Sequence, residues 1–198
     1  LFTRRALRKL LDAFTAVSDP DRAAANRRIL DEFVPEKVSP DLLQAVLRLL
    51  LEERVSIRNL PLILEAIAEA RPHAEDPERL AEHVRRRLGF QIVAELLEPD
   101  GALPLVQLAP DWERLFAEHE SEGGADVALP PSEFNRLAAS VAETVAKAGA
   151  DGRWPAVVTS ARRRRFLSTV LGAKGLRNPV LSFEEIGTSA RPALIGTA

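Results

Sequence analysis

Apolar residues recur along the first half of the chain at helical spacing. Leu43, Val46, Leu47 and Leu50 form one stripe, Leu60, Ile63, Leu64 and Ile67 a second, and Leu80, Val84, Leu88, Ile92 and Leu96 a third. Upstream, Leu7, Leu10, Leu11 and Phe14 share one face of a helix over Thr3–Val17. Ile29, Leu30 and Phe33 line a second that starts after Ser18-Asp19-Pro20 and ends at Pro35. Ser39-Pro40-Asp41, Asn59 and Asp76 stand where N-caps belong, with prolines in the first turns that follow. The spacing predicts a helix over Asp41–Glu53, one from Asn59, and one from Pro77 to about Leu97. Val55-Ser56-Ile57 is a short extended connector between the first two of these.

After Glu98-Pro99-Asp100-Gly101 the pattern changes. Leu103 to Leu108 is a short apolar run with a turn on each side and reads as a strand; its Pro104 predicts a late start or an edge position. Pro110–His119 reads as a helix carrying Trp112, Leu115 and Phe116, and Glu120–Pro130, with Gly123-Gly124, as a mobile loop. Ser132–Ala148 is a helix with Phe134, Leu137, Val141 and Val145 in register. Ala156–Thr159, Val180–Phe183 and Ala193–Thr197 are strands by their β-branched and apolar content, and Ser160 is placed to cap the helix that runs to about Leu171. The expected fold is α+β in two modules: an all-α helical bundle over 1–88, then a small α/β domain over 89–198 with a roughly four-stranded, largely parallel or mixed sheet. The helix from Pro77 is expected to straddle the boundary and join the modules rigidly.

Composition narrows the function classes. Hydrophobic residues make up 46% and charged residues 28% of 198, which is ordinary for a globular chain. Lysine plus arginine balance aspartate plus glutamate at 16 to 16 over residues 1–97, and stand at 11 to 13 over 98–198. Neither part has the basic excess of a nucleic-acid binder. With no Cys, disulfides and thiolate metal sites are excluded, which suits a reducing compartment. No apolar run is long enough to span a bilayer. The chain starts at Leu1 and contains no Met, and reads as part of a longer protein.

Four features bear on chemistry. The run Arg162–Arg165 lies on a helix, so its side chains diverge; it reads as a solvated face partly paired with acids, or as a patch for a protein partner. In Arg85-Arg86-Arg87, Arg86 is expected to point outward, because Val84 and Leu88 mark the buried stripe. His73, His83 and His119 are far apart with no ligand spacing, so no metal site is expected. Glu52-Glu53 are expected to meet Arg54 or Arg58, and Glu184-Glu185 follow a strand without a base, nucleophile or phosphate loop beside them. No catalytic residue, cofactor site or nucleic-acid site is expected. Arg54 and Arg58 flank the extended connector, with both cations outward. They read as helix-end caps or as an inter-subunit contact.

Several unlike motifs occur here in one order: EFVPEKVSPDLLQAVLRLLLEE at 32–53, RVSIRNLPLILEAIAEA at 54–70, DPERLAEHVRRRLGFQI at 76–92, PAVVTSARRRRFL at 155–167 and PVLSFEEI at 179–186. This order resembles the cytoplasmic domain of the FlhA/SctV family, the export-gate proteins of flagella and of virulence injectisomes, over nearly the whole chain. The segments LAPDWERLFAEH and ALPPSEFNRLAASV are closer to the flagellar members. Gly172-Ala173-Lys174-Gly175 departs from the family, where this link often contains proline. The resemblance implies the third and fourth subdomains of a non-enzymatic, membrane-anchored export gate, on the cytoplasmic face of the bacterial inner membrane. It implies a homo-nonameric ring that receives chaperone–substrate complexes from the export ATPase machinery. On exposure, Arg54, Arg58, Asn59 and Arg86 are the expected ring or domain-contact residues. Two other readings stay open: a soluble adaptor that binds partner helices, and a small α/β enzyme using Glu184 or Glu185.

Overall fold

A computed structural model describes residues 2–121, 127–188 and 190–198. The chain divides into two compact units, residues 1–88 and 89–198.

The first unit is built from helices α1 (Arg4–Thr15), α2 (Pro20–Phe33), α3 (Pro40–Glu52), α4 (Leu60–Ala70) and α5 (Pro77–Arg87). Each begins with the same chemistry. Thr3, Asp19, Ser39, Asn59 and Asp76 accept main-chain N–H bonds from the first turn, and in α2 to α5 a proline occupies one of the first two helical positions. Such a cap is worth about 1 kcal/mol, and proline there removes an N–H that would have no partner in the helix. The stripes of α3 and α4 are 0–1% exposed, and α5 packs against both helices through Leu80, Val84 and Leu88. The α1–α2 pair is shallower: Leu7 is buried, whereas Leu10, Leu11, Phe14, Ile29, Leu30 and Phe33 are half-buried. Buried Asn26 donates to Phe14 O at 2.6 Å.

The expected single helix from Pro77 to Leu97 is two. Helix α5 stops at Arg87, Leu88 leaves helical geometry at φ −87°, ψ 2°, and α6 runs over Gly89–Ala94. The apolar spacing is continuous across the break, so periodicity alone hides it.

The second unit centres on four parallel strands, β1 (Ala102–Gln107), β2 (Ala156–Thr159), β3 (Val180–Ser182) and β4 (Arg191–Thr197), in the order β3-β2-β1-β4. Between them come α7 (Pro110–Glu118), α8 (Pro131–Ala150), α9 (Ala161–Ala173) and the short α10 (Phe183–Ile186). Val106, Val157 and Val180 of the sheet share a core with Trp112, Phe116, Leu137, Val141, Val145, Leu167 and Val170 of the helices. Phe116 stacks on Trp112 at 6.3 Å between ring centroids and meets Phe166 edge-on at 5.3 Å. The fold is α+β, as the pattern implies.

Several local expectations are corrected. Pro104 lies in a central strand that already starts at Ala102. It is tolerated because β2 pairs with β1 only from Leu105 onward, leaving Pro104 with β4 as its sole ladder partner. Phe183 opens α10 instead of closing β3. Ser182 and Glu185 form a reciprocal capping box there, Ser182 N donating to Glu185 Oε2 at 2.7 Å and Glu185 N to Ser182 Oγ at 3.3 Å. Ser160 occupies the N-cap position of α9 but makes no side-chain cap bond. The expected loop tip at Gly123-Gly124 lies outside the described residues; on its flanks Glu120 and Val127 form an antiparallel bridge.

Helices α6 and α10 meet at closest approach through glycine. A Cβ on Gly89 would lie 2.3 Å from Glu185 O, a main-chain atom that the capping box holds in place. Gly89→Ala is therefore expected to destabilise the chain by about 1–3 kcal/mol, read as a lower urea midpoint with an unchanged slope.

Candidate functional surface

The connector between α3 and α4 is shaped by how α3 ends. Arg54 N donates to Leu51 O at 3.0 Å and Val55 N to Leu50 O at 2.9 Å, the paired bonds of a Schellman motif. That motif needs a left-handed residue after the C-cap. Arg54 fills the position at φ 60°, where glycine is usual. Leu50 and Val55, its two apolar ends, are buried. The turn throws the Arg54 side chain outward; Arg58 is exposed as well, and Leu51 is an exposed large apolar residue beside them. Asn59 is half-buried, and its Oδ1 accepts from Leu62 N at 3.4 Å, so that side chain is engaged in starting α4.

Arg86 points outward on α5, with Nη2 3.3 Å from His83 Nδ1. Its two neighbours turn inward. Arg87 pairs with Glu69 and reaches Glu65 at 3.7 Å, linking α5 to α4. Arg85 is 4% exposed and pairs with Glu53 at 3.2 Å. Glu53 therefore meets Arg85 on another helix, and Glu52 meets Arg48 one turn back at 3.7 Å, rather than either acid turning to Arg54 or Arg58. The signal for Arg85 was present in the chain: it falls in register with Ala81, Val84 and Leu88 on the buried stripe. Through this pair α5 is fastened at the residue before Arg54, which brings the connector and the α5 arginines into one neighbourhood.

The Arg162–Arg165 run is not a solvated face. Arg163 is 4% exposed and Arg164 is fully buried. Arg163 Nη2 bonds Glu120 Oε2 at 3.0 Å, its Nε lies 3.8 Å from Glu113, and its Cζ stands 5.9 Å from the Phe116 ring centre. Arg162 also pairs with Glu120, and Arg164 Nη1 donates to Val180 O at 3.3 Å. Glu185 is 2% exposed and committed to its capping box, while Glu184 is exposed. Among the described residues no three His, Asp or Glu side chains gather as a metal site would require.

In the second unit an open groove of about 480 Å³ lies between α8 and β4, lined by Thr144, Lys147, Asp151, Arg153 and Leu194 among others. Arg153 forms one wall and makes a bidentate pair with Glu98, at 2.9 and 2.8 Å. That hydrogen bond, and with it the guanidinium charge, holds the Glu98 carboxyl below its ordinary range and lifts Arg153 above its own.

The matched family model is described as the FHIPEP family and covers residues 1–191. The chain belongs to the FHIPEP family. Curated members similar to it include the flagellar biosynthesis protein FlhA of Caulobacter vibrioides, 37% identical over 172 residues, covering 86% of this chain and 25% of that protein. The protein hrpC2 of Xanthomonas euvesicatoria is 34% identical over 154 residues, covering 76% of this chain and 23% of its own. This FHIPEP chain thus spans about a quarter of the length of those relatives. Among solved structures, the nonameric SctV-C of EPEC matches 100% of the chain and 57% of its own at TM-score 0.81 and 21% identity, a likeness of fold. The C-terminal domain of InvA matches 100% and 58% at TM-score 0.78 and 26% identity. Among the described residues of this FHIPEP chain, no helix is long and apolar enough to cross a membrane.

Two measurements test the local physics. Arg54→Gly relieves the left-handed strain and is expected to raise stability by about 0.5–1 kcal/mol in denaturant unfolding, against a loss if the arginine side chain is what holds the turn. For Glu98, whose folded carboxyl titrates below its unfolded value, the stabilisation is present above the unfolded carboxylate range and fades as pH falls through the folded value. The stability gap between the native chain and Arg153→Gln is therefore expected to be largest near neutrality and to close on acidification.

Proposed function

We propose that this chain is part of the cytoplasmic region of a flagellar type III protein export gate, acting as a non-enzymatic ring subunit. The observation that carries this reading is the match to flagellar FlhA, at 37% identity over 86% of the chain. In the proposal, residues 1–88 and 89–198 correspond to the third and fourth subdomains of that region, beneath the inner membrane. Self-association is supported by solved relatives described as nonameric. Engagement of a further protein is supported by a relative, the Chlamydia pneumoniae CdsV protein, solved in complex with CdsO. Docking of chaperone–substrate complexes and contact with export ATPase components complete the proposal. A non-enzymatic role agrees with Glu185 being tied into a helix cap.

A second reading, the equivalent gate subunit of an injectisome, is favoured by the 34% identity to hrpC2. Deleting the gene segment for these 198 residues, with the upstream part retained, separates the two. Loss of both hook protein and flagellin from the medium, restored by the full-length gene, is expected. Normal flagellin with loss of another secreted set supports the injectisome, and normal secretion of everything overturns both.

Within the gate, Arg54, Arg58, Asn59 and Arg86 are proposed to lie at a ring or domain contact. The connector's outward cations, with exposed Leu51 beside them, support this. Arg54→Glu with Arg58→Glu is expected to weaken self-association in sedimentation by at least about tenfold while leaving unfolding within about 0.5 kcal/mol of the native chain. Unchanged sedimentation would remove these residues from the contact.

A further inference from the structure

His83 stands among the charged groups where α4 and α5 face each other. Its residue is half-buried, with the side chain 23% exposed. Nδ1 lies 3.3 Å from Arg86 Nη2 on the same helix, and Nε2 lies 3.5 Å from Glu69 Oε2 on α4. The Nε2 atom is shut off from solvent and makes no hydrogen bond. Buried polar atoms without partners are rare in folded proteins and call for an explanation.

The neighbours fix where the ring carries its proton. A guanidinium only donates, so Nδ1 has to offer its lone pair to Arg86. The neutral ring then holds its proton on Nε2, the nitrogen beside Glu69. That carboxylate already accepts from Arg87, which also reaches Glu65 at 3.7 Å. Helix α3, packed on α5 as well, presents Glu53, which pairs with Arg85, and Arg48 with Glu52, which pair with each other. On α5 itself Arg79 lies one turn before His83, and Glu82 directly precedes it. Arg86 thus differs from the arginines on either side of it: Arg85 and Arg87 are held by acids, Arg86 by a histidine.

A second proton changes the two ring contacts in opposite senses. It goes onto Nδ1, removes the lone pair that holds Arg86, and sets like charges 3.3 Å apart. On the other side an imidazolium faces the Glu69 carboxylate, an attraction that the neutral ring lacks. Histidine is the side chain whose charge ordinarily changes between about pH 5 and 8.

We propose that His83 is a proton-operated latch on Arg86. The neutral ring holds the guanidinium along α5; the protonated ring turns its charge to Glu69 and releases Arg86 to solvent. What the release accomplishes rests on the reading of Arg86 as a contact residue of the ring: acid frees a cation to meet an acidic group on the neighbouring copy.

The test begins with ring-nitrogen NMR of the 198-residue chain at pH 8. His83 is expected to be protonated at Nε2 alone. His119 serves as an internal reference of the opposite kind, because its Nδ1 lies 3.0 Å from Leu115 O and has to carry the proton to meet a carbonyl. A proton on His83 Nδ1 at pH 8 overturns the proposal, and this readout needs no variant. On acidification to pH 5 the Arg86 guanidinium resonances are expected to sharpen and to move toward those of an unattached arginine. His83→Gln supplies an acceptor that takes up no proton, so its Arg86 resonances are expected to stay in place. Equal movement in the native chain and the variant overturns the proposal. Sedimentation at both pH values addresses the contact separately. Self-association of the native chain is expected to tighten on acidification by about threefold to tenfold more than that of His83→Gln. If the resonances show the release and this difference is absent, the ring role of Arg86 fails while the latch stands.

Discussion

A guanidinium withdrawn from water has to be answered by an acid or a carbonyl, and that requirement governs how the connecting segments of both units are placed. Arg85, Arg163 and Arg164 all sit on faces that are otherwise apolar, and each residue is at least 96% buried. Leaving such a charge without a partner would cost several kcal/mol, far more than one surface ion pair contributes. The answering groups lie on connectors and strand ends. Glu53 closes α3 just before the turn, Glu120 follows α7, and Val180 O opens β3. Each buried arginine therefore pins one segment that helix periodicity would leave undetermined.

The two units meet the demands of their backbones differently. In residues 1–88, helices are short and their ends numerous, so the repeated cap and proline supply what the first turns lack. The left-handed Arg54 is the complementary device at a helix end. In residues 89–198 the parallel ladder satisfies the chain interior, and crossover helices cover its face through Val106, Val157 and Val180. The capping box at Ser182 and Glu185 makes the abrupt change from strand to helix possible without an orphaned donor.

Family membership and local chemistry answer different questions here. The FHIPEP match covers residues 1–191 and says what kind of protein this is. It assigns no role to Arg54 or Arg58. Those residues enter through exposure and through a turn whose geometry an arginine would not adopt without support. Their neighbourhood with α5 exists because Arg85 reaches Glu53, a contact between residues 32 positions apart that no local spacing announces.

The longer helices and the caps at Ser39, Asn59 and Asp76 followed from local signals: these side chains can reach the next turn, and apolar runs at period 3.6 must bury one face. The α+β class was legible for the same reason, since the period changes after Glu98. Other features depended on distant partners. Pro104 is acceptable in a central strand only because of where β2 begins to pair, and the helix break at Leu88, just before Gly89, coincides with the boundary between two units. The burial of Arg163 and Arg164 was likewise a tertiary matter. A charged side chain has no intrinsic preference for burial, and its direction is settled by which acid the packed fold brings within reach.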